Sequence, residues 1–304
     1  MYWDHKYYKH SGMIGFMGIL CLVFLGVPAT VFLSIIYSYA IFYIPFVYIN
    51  LFLTIGCGAA VGYMVSKCAK LGKIRNNTFL LITGFGFGLL SEYVGWVSWL
   101  FALSEQKYII LSPGTILEIM ADLSKEGVWS IHGTTPQGIF LYLVWAVEAV
   151  LILGFSTFMV WHLLGTKAFC ERCGVWVKGN DSISLLEPIA NPGECKLQLE
   201  QGDYTTLESL KKVEVSSDHF TVIELYHCSG CNALFLLTVK DVKVKINSNG
   251  GEDLQEDLVV RNLIIDSQIY ERLKNHWVNG YEENSESFPD EMEEQPLSDV
   301  PSNE

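Results

Sequence analysis

The chain has 304 residues and a formal net charge of −13, and half of its residues are hydrophobic. An acidic balance of this size argues against nucleic-acid binding, because phosphate contacts need clustered lysine and arginine. The hydrophobic residues are concentrated in the first 164 positions, and the remainder is polar and acidic. The sequence therefore predicts two physically different parts, one embedded in a membrane and one in water.

Four apolar runs are each long enough to cross a bilayer, whose hydrocarbon is about 30 Å thick. They cover approximately residues 13–37, 44–66, 79–101 and 139–164. Pro28 predicts a kink in the first run that a helix bundle tolerates. A cleaved signal peptide is the rival interpretation of this run, but the run continues apolar well past any cleavage site. We therefore predict an all-α four-helix membrane bundle over 13–164.

Basic residues in the short loops predict the orientation of the bundle. The loop between the second and third runs holds four of them and no acid: Lys67, Lys70, Lys73 and Arg75. Segment 1–12 adds Lys6 and Lys9, whereas segment 102–138 has two lysines and four acids. The positive-inside rule then predicts that both termini are cytosolic and that 102–138 is extracytoplasmic. The expected location is the inner (cell) membrane.

Segment 102–138 contains the signals of a short helix. Ser112 followed by Pro113 is typical of a helix start. The apolar residues that follow are spaced to lie on one face: Ile116, Leu117, Ile119, Met120 and Leu123. Such a helix is expected on the membrane surface or as a cap on the bundle. Tyr37, near the end of the first run, is assigned to the aromatic belt at the membrane interface.

Two carboxylates lie inside the predicted spans, Glu92 in the third and Glu148 in the fourth. Both fall about 3–5 Å to the same side of the midplane, so they could meet if these spans are neighbours. Two close carboxylates cannot both ionise cheaply in a low dielectric, so one should hold a proton or both should share a cation. The functional hypothesis is a small proton- or cation-coupled transporter or a sensor. The favoured structural hypothesis is a pair of protonated acids bonded to polar side chains of other helices: Asn50, Thr54, Ser91 or Tyr93.

Gly84 and Gly88 lie four residues apart in the third predicted span. This spacing lets the backbone of another helix approach closely. The second helix can belong to the same chain or to a second copy, so the pair predicts either bundle packing or a homo-oligomer.

From 165 to 281 the sequence predicts a small cytosolic α+β domain rich in β structure. Apolar and β-branched runs predict strands within 219–228, 233–247 and 256–266, and 266–277 predicts a closing helix. The stretches EPIANPGEC and NSNGGED predict turns. The last segment, 282–304, carries nine carboxylates and no lysine or arginine, which predicts a disordered acidic tail.

Two Cys-x-x-Cys pairs stand in this domain, Cys170 with Cys173 and Cys228 with Cys231. Each pair can present two thiolates to one metal ion, and four thiolates form the closed tetrahedral site typical of structural zinc. The reducing cytosol disfavours disulfides. We therefore predict a zinc ion on these four residues, although four thiolates also suit iron. A membrane thiol oxidoreductase is the alternative, but the βαβ context of a redox dithiol is missing.

The two knuckles, CERCG and HCSGC with strands after them, resemble a zinc ribbon. They are 54 residues apart, against about 15–20 in the usual spacing, so 174–227 is a large insertion. The order of the spans, with SPGTILEIMADLSKEGVWSIHG and VWAVEAVLIL, resembles uncharacterised bacterial integral membrane proteins that end in a cytosolic domain. This resemblance implies the architecture and a bacterial origin, and it implies no activity.

The other four cysteines are expected to be inert. Cys21 and Cys57 lie in spans, Cys195 stands alone, and Cys68 lies near lysines at a span end, a setting that could lower its thiol pKa. No catalytic signature accompanies them, so we expect no enzyme. The predicted function is a multi-pass membrane protein, with the lipid bilayer and a cytosolic protein as partners, whose zinc-stabilised domain serves protein interaction or assembly.

Overall fold

The computed structural model describes residues 6–44, 46–128, 135–177, 179–213, 217–231, 233–246 and 252–277. The chain divides into two compact units. One unit, Lys9–Trp176, is mainly helical, and the other combines Met1–Tyr8 with Val177–Glu304 and contains a four-stranded sheet. A helical N-terminal region followed by a β-sheet region confirms the predicted α+β layout. The predicted acidic tail, 282–304, lies outside the described residues.

Four helices of the first unit are long and apolar enough to cross a membrane. They are α1 (Phe16–Tyr43), α2 (Val47–Leu71), α3 (Asn77–Leu103) and, after the shorter α4 (Pro113–Glu126), α5 (Ile139–Gly165). Each corresponds to one predicted run. The largest difference is at the end of α1, which continues to Tyr43 beyond the predicted end at 37. Residues at the predicted end of the first run therefore lie inside the helix and not at its end.

The proline in α1 sits beside a local change of helix type. Pro28 is in the first turn of the α-helical stretch Val27–Tyr43, directly after one π-helical turn, Leu22–Gly26. Proline has no N–H to donate, and its ring displaces the carbonyl four residues before it. A π turn accommodates such a disturbance. The predicted irregularity at Pro28 therefore takes the form of a π turn.

Glycines let α5 approach both α2 and α3 closely. A Cβ at Gly62 of α2 would lie 2.5 Å from the carbonyl oxygen of Ser156, and one at Gly88 of α3 would lie 2.6 Å from Ser156 Oγ. A Cβ at Gly84 would lie 3.0 Å from Thr157 Cα. Ser156 Oγ also donates to the Gly84 carbonyl at 3.0 Å. Gly84 and Gly88 thus pack within the chain, which is one of their two predicted uses, while a homo-oligomer stays a prediction.

Helix α4 confirms the predicted helix in the loop between the last two spans. Ser112 Oγ accepts the N–H of Thr115 at the helix start, and Pro113 occupies the first turn. Ile116 is buried, but Leu117 is 64% exposed. The buried face is therefore narrower than the predicted apolar face, because residues one apart on a helix point about 100° apart.

The sheet of the second unit is antiparallel throughout, in the order β3-β4-β5-β6. Its strands are β3 (Gly179–Leu186), β4 (His219–His227), β5 (Phe235–Ile246) and β6 (Glu252–Ile264), and helix α8 (Ser267–Trp277) follows. Strands β4 to β6 and α8 were all predicted, whereas β3 was not. The predicted turn NSNGGED falls mostly outside the described residues.

The insertion between the knuckles contains two helices, α6 (Pro192–Gln201) and α7 (Thr205–Ser209). The predicted turn in EPIANPGEC is limited to residues 187–191, because Asn191 Oδ1 accepts the Glu194 N–H at 3.2 Å and Pro192 opens α6. Asparagine before proline is typical of a turn, but the same pair also makes a helix N-cap and first position. Gly202, with φ +86°, ends the helix.

The core of this unit is formed by buried residues of the strands and of α6, α7 and α8. Its fully buried members include Leu186, Leu199, Leu207, Ile223, Leu225, Leu237, Val239 and Leu273. The chain's N-terminal segment joins this unit: Tyr8 N–H donates to the Asn262 carbonyl and Ile264 N–H donates to the Lys6 carbonyl, both at 2.9 Å. Residues 6–8 of the predicted cytosolic N-terminal segment thus contribute backbone pairing to β6.

Candidate metal centre

The four cysteines of the two predicted pairs come together. The Sγ atoms of Cys170, Cys173, Cys228 and Cys231 all lie within 4.8 Å of one another. Four thiolates around one zinc ion at about 2.3 Å would be about 3.8 Å apart, so this spacing fits a single tetrahedral ion. Cys170 and Cys228 are buried and the other two are partly buried, which is typical of a closed structural site. The predicted cluster is confirmed as a set of residues able to hold a metal ion.

The first knuckle is a tight turn between two short strands, β1 (Phe169–Cys170) and β2 (Val175–Trp176). Cys170 pairs with Val175 across this hairpin. Gly174 closes the turn with φ +64°, and its N–H donates to the Cys170 carbonyl at 2.8 Å. A left-handed backbone is readily adopted only by glycine, so the CERCG sequence carries its own turn residue.

The end of α2 and the loop that follows it hold this knuckle in place. Arg75 forms an ion pair with Glu171, and its guanidinium carbon lies 4.4 Å from the centre of the Phe169 ring. Trp176 Nε1 donates to the Lys70 carbonyl at 3.0 Å. These contacts fix the hairpin on both strands, so protein contacts as well as any metal ion position Cys170 and Cys173.

Basic residues of the same loop also surround the knuckle with positive charge. Lys73 Nζ lies 3.5 Å from where a Cβ of Gly174 would be, and Arg75 adds its guanidinium. Four thiolates on a divalent ion leave a net negative charge, which nearby cations stabilise. Lys73 and Arg75, two of the four basic residues that predicted the membrane orientation, therefore also suit the metal centre.

The second knuckle begins where β4 ends. Cys228 directly follows His227, and its N–H donates to the Leu234 carbonyl at 3.0 Å, which closes the turn that contains Cys231. His227 Nδ1 is hydrogen-bonded to Tyr270 Oη of α8 at 2.9 Å. The imidazole is engaged in the sheet unit, which agrees with a ligand set of four cysteines and no histidine.

Three of the remaining cysteines lie in cores: Cys57, Cys68 and Cys195. Cys195 is almost fully buried on α6, and burial raises the pKa of its thiol to about 11. A thiol with that pKa is protonated at neutral pH, as expected for an inert residue. Cys68 is also buried, inside α2, which extends to Leu71. Cys68 lies in the last turn of α2, three residues before its end at Leu71, which agrees with its predicted place at a span end.

The intramembrane glutamates each have an aromatic partner that the sequence did not predict. Tyr37 Oη of α1 donates to Glu148 Oε1 at 2.5 Å, and Trp96 Nε1 donates to Glu92 Oε1 at 3.0 Å. The two glutamates interact electrostatically. Tyr37 is only 7% exposed, so its assignment to the interfacial belt is wrong. The reason is the longer α1, which carries this residue into the interior of the helical unit.

The polar partners predicted for the glutamates have other roles. Ser91 Oγ accepts from Ser34 at 2.9 Å, and Tyr93 donates to the Leu111 carbonyl at 2.5 Å. Thr54 is connected to Glu148 through Tyr37, from which its Oγ1 is 2.8 Å distant. Asn50 Oδ1 is buried and has no hydrogen-bond partner in the described part of the chain. Only Thr54 thus takes part in the network around Glu148, and it does so indirectly.

Comparison with known proteins finds no match: no family model, no curated protein and no solved structure is similar to this chain. A function must therefore be argued from the chemistry of the molecule's own polar sites. Of these, the four-cysteine cluster has a donor set and spacing that point to one class of ligand, a thiophilic metal ion.

Proposed function

We propose that this is a multi-pass membrane protein that presents a zinc-stabilised cytosolic domain to a partner protein. The observation that carries the proposal is the convergence of four cysteine sulfurs within 4.8 Å. Two matched knuckles in a closed four-thiolate arrangement favour zinc in a structural role over a reactive dithiol. The basic loop between α2 and α3 supports a bacterial inner-membrane topology with both termini in the cytosol. No enzymatic activity is part of the proposal.

Zinc would be held by Cys170, Cys173, Cys228 and Cys231, and it would supply folding free energy. The two knuckles are separated by 54 residues, and bringing such distant turns together costs conformational entropy. Metal–thiolate bonds offset that cost, which is why small metal-binding domains lose their fold when the ion is removed. The fixed hairpin of the first knuckle lowers the cost further, because half of the ligands are held by protein contacts.

The sheet offers an edge suited to protein binding. Strand β6 is the last in the sheet order, and its residues 253–258 are exposed. Leu254 and Leu258 are large apolar side chains on this exposed stretch. An edge strand presents backbone N–H and C=O groups to an extended segment of another chain. These features support the proposal that the domain binds a protein through β6.

Metal analysis of the full-length protein in lipid nanodiscs tests the zinc site. We expect about one zinc per chain in the wild type and none in Cys173→Ser or Cys231→Ser. Cys195→Ala is the matched control, because this buried cysteine lies outside the cluster and should retain the full zinc content. Wild-type protein that folds without metal would contradict the proposal. If the purified protein carries iron, iron takes the place of zinc in the proposal.

Crosslinking in cells tests the proposed docking edge. A full-length chain with Leu254→Asp and Leu258→Asp should lose a protein that the wild type captures. Leu197→Asp on α6 is the control, because Leu197 is equally apolar and exposed but lies outside the sheet. Capture of the same protein by the β6 variant would show that the domain binds elsewhere.

A further inference from the structure

A chain of oxygen atoms in hydrogen-bond contact connects three of the long helices. It runs from Glu148 Oε1 on α5 to Tyr37 Oη on α1, then to Thr54 Oγ1 and the Asn50 carbonyl oxygen on α2. The three oxygen–oxygen distances are 2.5, 2.8 and 2.8 Å in that order. Tyr37 and Thr54 are 7% and 4% exposed, so water has little access to the middle of the chain.

When Glu148 is ionised, this chain of oxygen atoms has one hydrogen fewer than it has hydrogen-bond contacts. The three contacts are served by two hydroxyl hydrogens, those of Tyr37 and Thr54. If Tyr37 donates to Glu148 and Thr54 donates to the Asn50 carbonyl, no hydrogen is left for the contact between Tyr37 and Thr54. One added proton on Glu148 fills all three contacts: Glu148 donates to Tyr37, Tyr37 to Thr54, and Thr54 to Asn50.

The distances also show whether the site suits a proton or a metal cation. Oxygen ligands of a bound metal ion sit about 2.0–2.6 Å from the ion, so neighbouring ligands in its shell are commonly about 3 Å or more apart. The Glu148 and Tyr37 oxygens are already 2.5 Å apart, at the short end of the range for a hydrogen bond between two oxygens. The contact has room for a hydrogen and none for a metal ion between the two oxygens.

The second intramembrane acid differs from Glu148 in what it contacts. Glu92 accepts a hydrogen bond from Trp96 Nε1, and an indole nitrogen can donate but cannot accept. Tyr37 can do both, so only Glu148 has a partner that accepts an acid proton at the observed contact. The titratable groups that face Glu148 are Tyr37 from α1, Cys57 from α2 and Glu92 from α3. Negative charge on either glutamate favours a proton on the other, so the two acids compete for one proton.

We propose that Glu148 is a proton-binding site inside the helical unit, and that the bound proton completes the hydrogen-bond chain through Tyr37 and Thr54. Loss of the proton leaves Tyr37 donating to Glu148, and the single Thr54 hydroxyl hydrogen must then serve either Tyr37 or the Asn50 carbonyl. Proton binding therefore fills every contact of the chain, and release leaves one of them without a hydrogen. This site is independent of the four-cysteine cluster, since it shares no residue with it.

Infrared spectroscopy of full-length protein in lipid nanodiscs tests the proposal directly. From about pH 5 to about pH 8, the wild type should show the C=O stretch of a protonated carboxyl. This band should disappear in Glu148→Gln and persist in Glu92→Gln, the matched control. In Tyr37→Phe it should remain and shift in frequency, because the acid proton loses its acceptor. Replacing sodium by choline in the buffer should leave the band unchanged.

Several results would overturn the proposal. A wild-type spectrum without the band over this pH range would mean that Glu148 stays ionised. A band that vanishes in Glu92→Gln would assign the proton to Glu92. Displacement of the band by sodium would replace the proton with a metal cation. If Glu148→Gln does not fold, the spectra of the wild type, Glu92→Gln and Tyr37→Phe still test whether Glu148 holds the proton.

Discussion

The Arg75 guanidinium and the Glu171 carboxylate form an ion pair between the loop after α2 and the first cysteine knuckle. Both side chains are largely buried, at 11% and 24% exposure, and Arg75 also lies over the Phe169 ring. Partly buried pairs of this kind are screened less by water and salt than surface pairs. The pair therefore gives the short connection from α5 to Cys170 a defined anchor on the helical unit.

Removing the carboxylate should loosen the metal centre. We expect Glu171→Gln to lower the free energy of unfolding by about 1–2 kcal/mol, because Arg75 loses its charge partner in a half-buried setting. Zinc should leave faster when a chelator is added, since the hairpin that carries Cys170 and Cys173 is no longer fixed. Stopped-flow measurement of zinc transfer to a chromogenic chelator reads this rate.

Lys107→Gln is the matched control for that experiment. It removes the ion pair with Glu105, in which both side chains are more than half exposed. Such surface pairs contribute about 0–1 kcal/mol, so stability and zinc release should stay at wild-type values. Equal zinc release from Glu171→Gln and the wild type would show that the ion pair does not support the knuckle.

Gly62 should be the most sensitive position of α2 to a small substitution. In Gly62→Ala the added Cβ meets the Ser156 carbonyl at 2.5 Å, so α2 and α5 must move apart, which costs about 1–3 kcal/mol. Gly56→Ala on the same helix is the control: nothing lies within 4 Å of its Cβ, and alanine favours the helix. Thermal unfolding in detergent, followed by size-exclusion chromatography, should show a lower midpoint for Gly62→Ala alone. Equal midpoints would contradict the close helix contact.

The features predicted correctly from the sequence are those encoded by local patterns. The spacing within each cysteine pair predicts a knuckle, and two matching knuckles predict that their four sulfurs come together. The apolar runs predict α1, α2, α3 and α5 because a span needs only length and hydrophobicity. Ser112 before Pro113 predicts the start of α4 by the same kind of short-range signal.

The missed features depend on contacts between distant residues or on ambiguous local signals. Tyr37 and Glu148 are 111 residues apart, and nothing local marks their hydrogen bond. The close approach at Gly62 could have been predicted in part from the sequence, because Gly58 and Gly62 have the same spacing as Gly84 and Gly88. Strand β3 is rich in polar residues, and its pairing with β4 outweighs its weak strand propensity.

Tyr7 should make the stability of the sheet unit sensitive to alkaline pH. Burial, together with the hydrogen bond to Glu200 and its negative charge, raises the pKa of Tyr7 above its ordinary value of 10.0. A group whose pKa is raised on folding stabilises the protein fully below its unfolded pKa, and this contribution is lost as pH rises through 10. The midpoint of chemical unfolding should therefore fall above about pH 10.

Tyr7→Phe separates this effect from general alkaline unfolding. The variant should be less stable at neutral pH by about 0.5–1.5 kcal/mol, the usual contribution of one hydrogen bond. Its stability should then fall less between about pH 9 and pH 11 than that of the wild type. Parallel pH profiles of the two proteins would show that Tyr7 ionises as freely in the folded state as in the unfolded state.

Cysteine alkylation should distinguish the buried thiol of Cys195 from exposed thiols. With a pKa of about 11, the Cys195 thiol is ionised in about one molecule in a thousand at pH 8, and its side chain is buried. We expect N-ethylmaleimide to leave Cys195 unmodified in the folded protein and to modify it after denaturation, as read by peptide mass spectrometry. The four cluster cysteines should be protected while zinc is bound and become reactive when a chelator is added, whereas Cys195 should stay protected for as long as bound zinc keeps the domain folded. Modification of Cys195 at the rate of the chelator-exposed cysteines would mean that α6 does not stay packed on the sheet in solution.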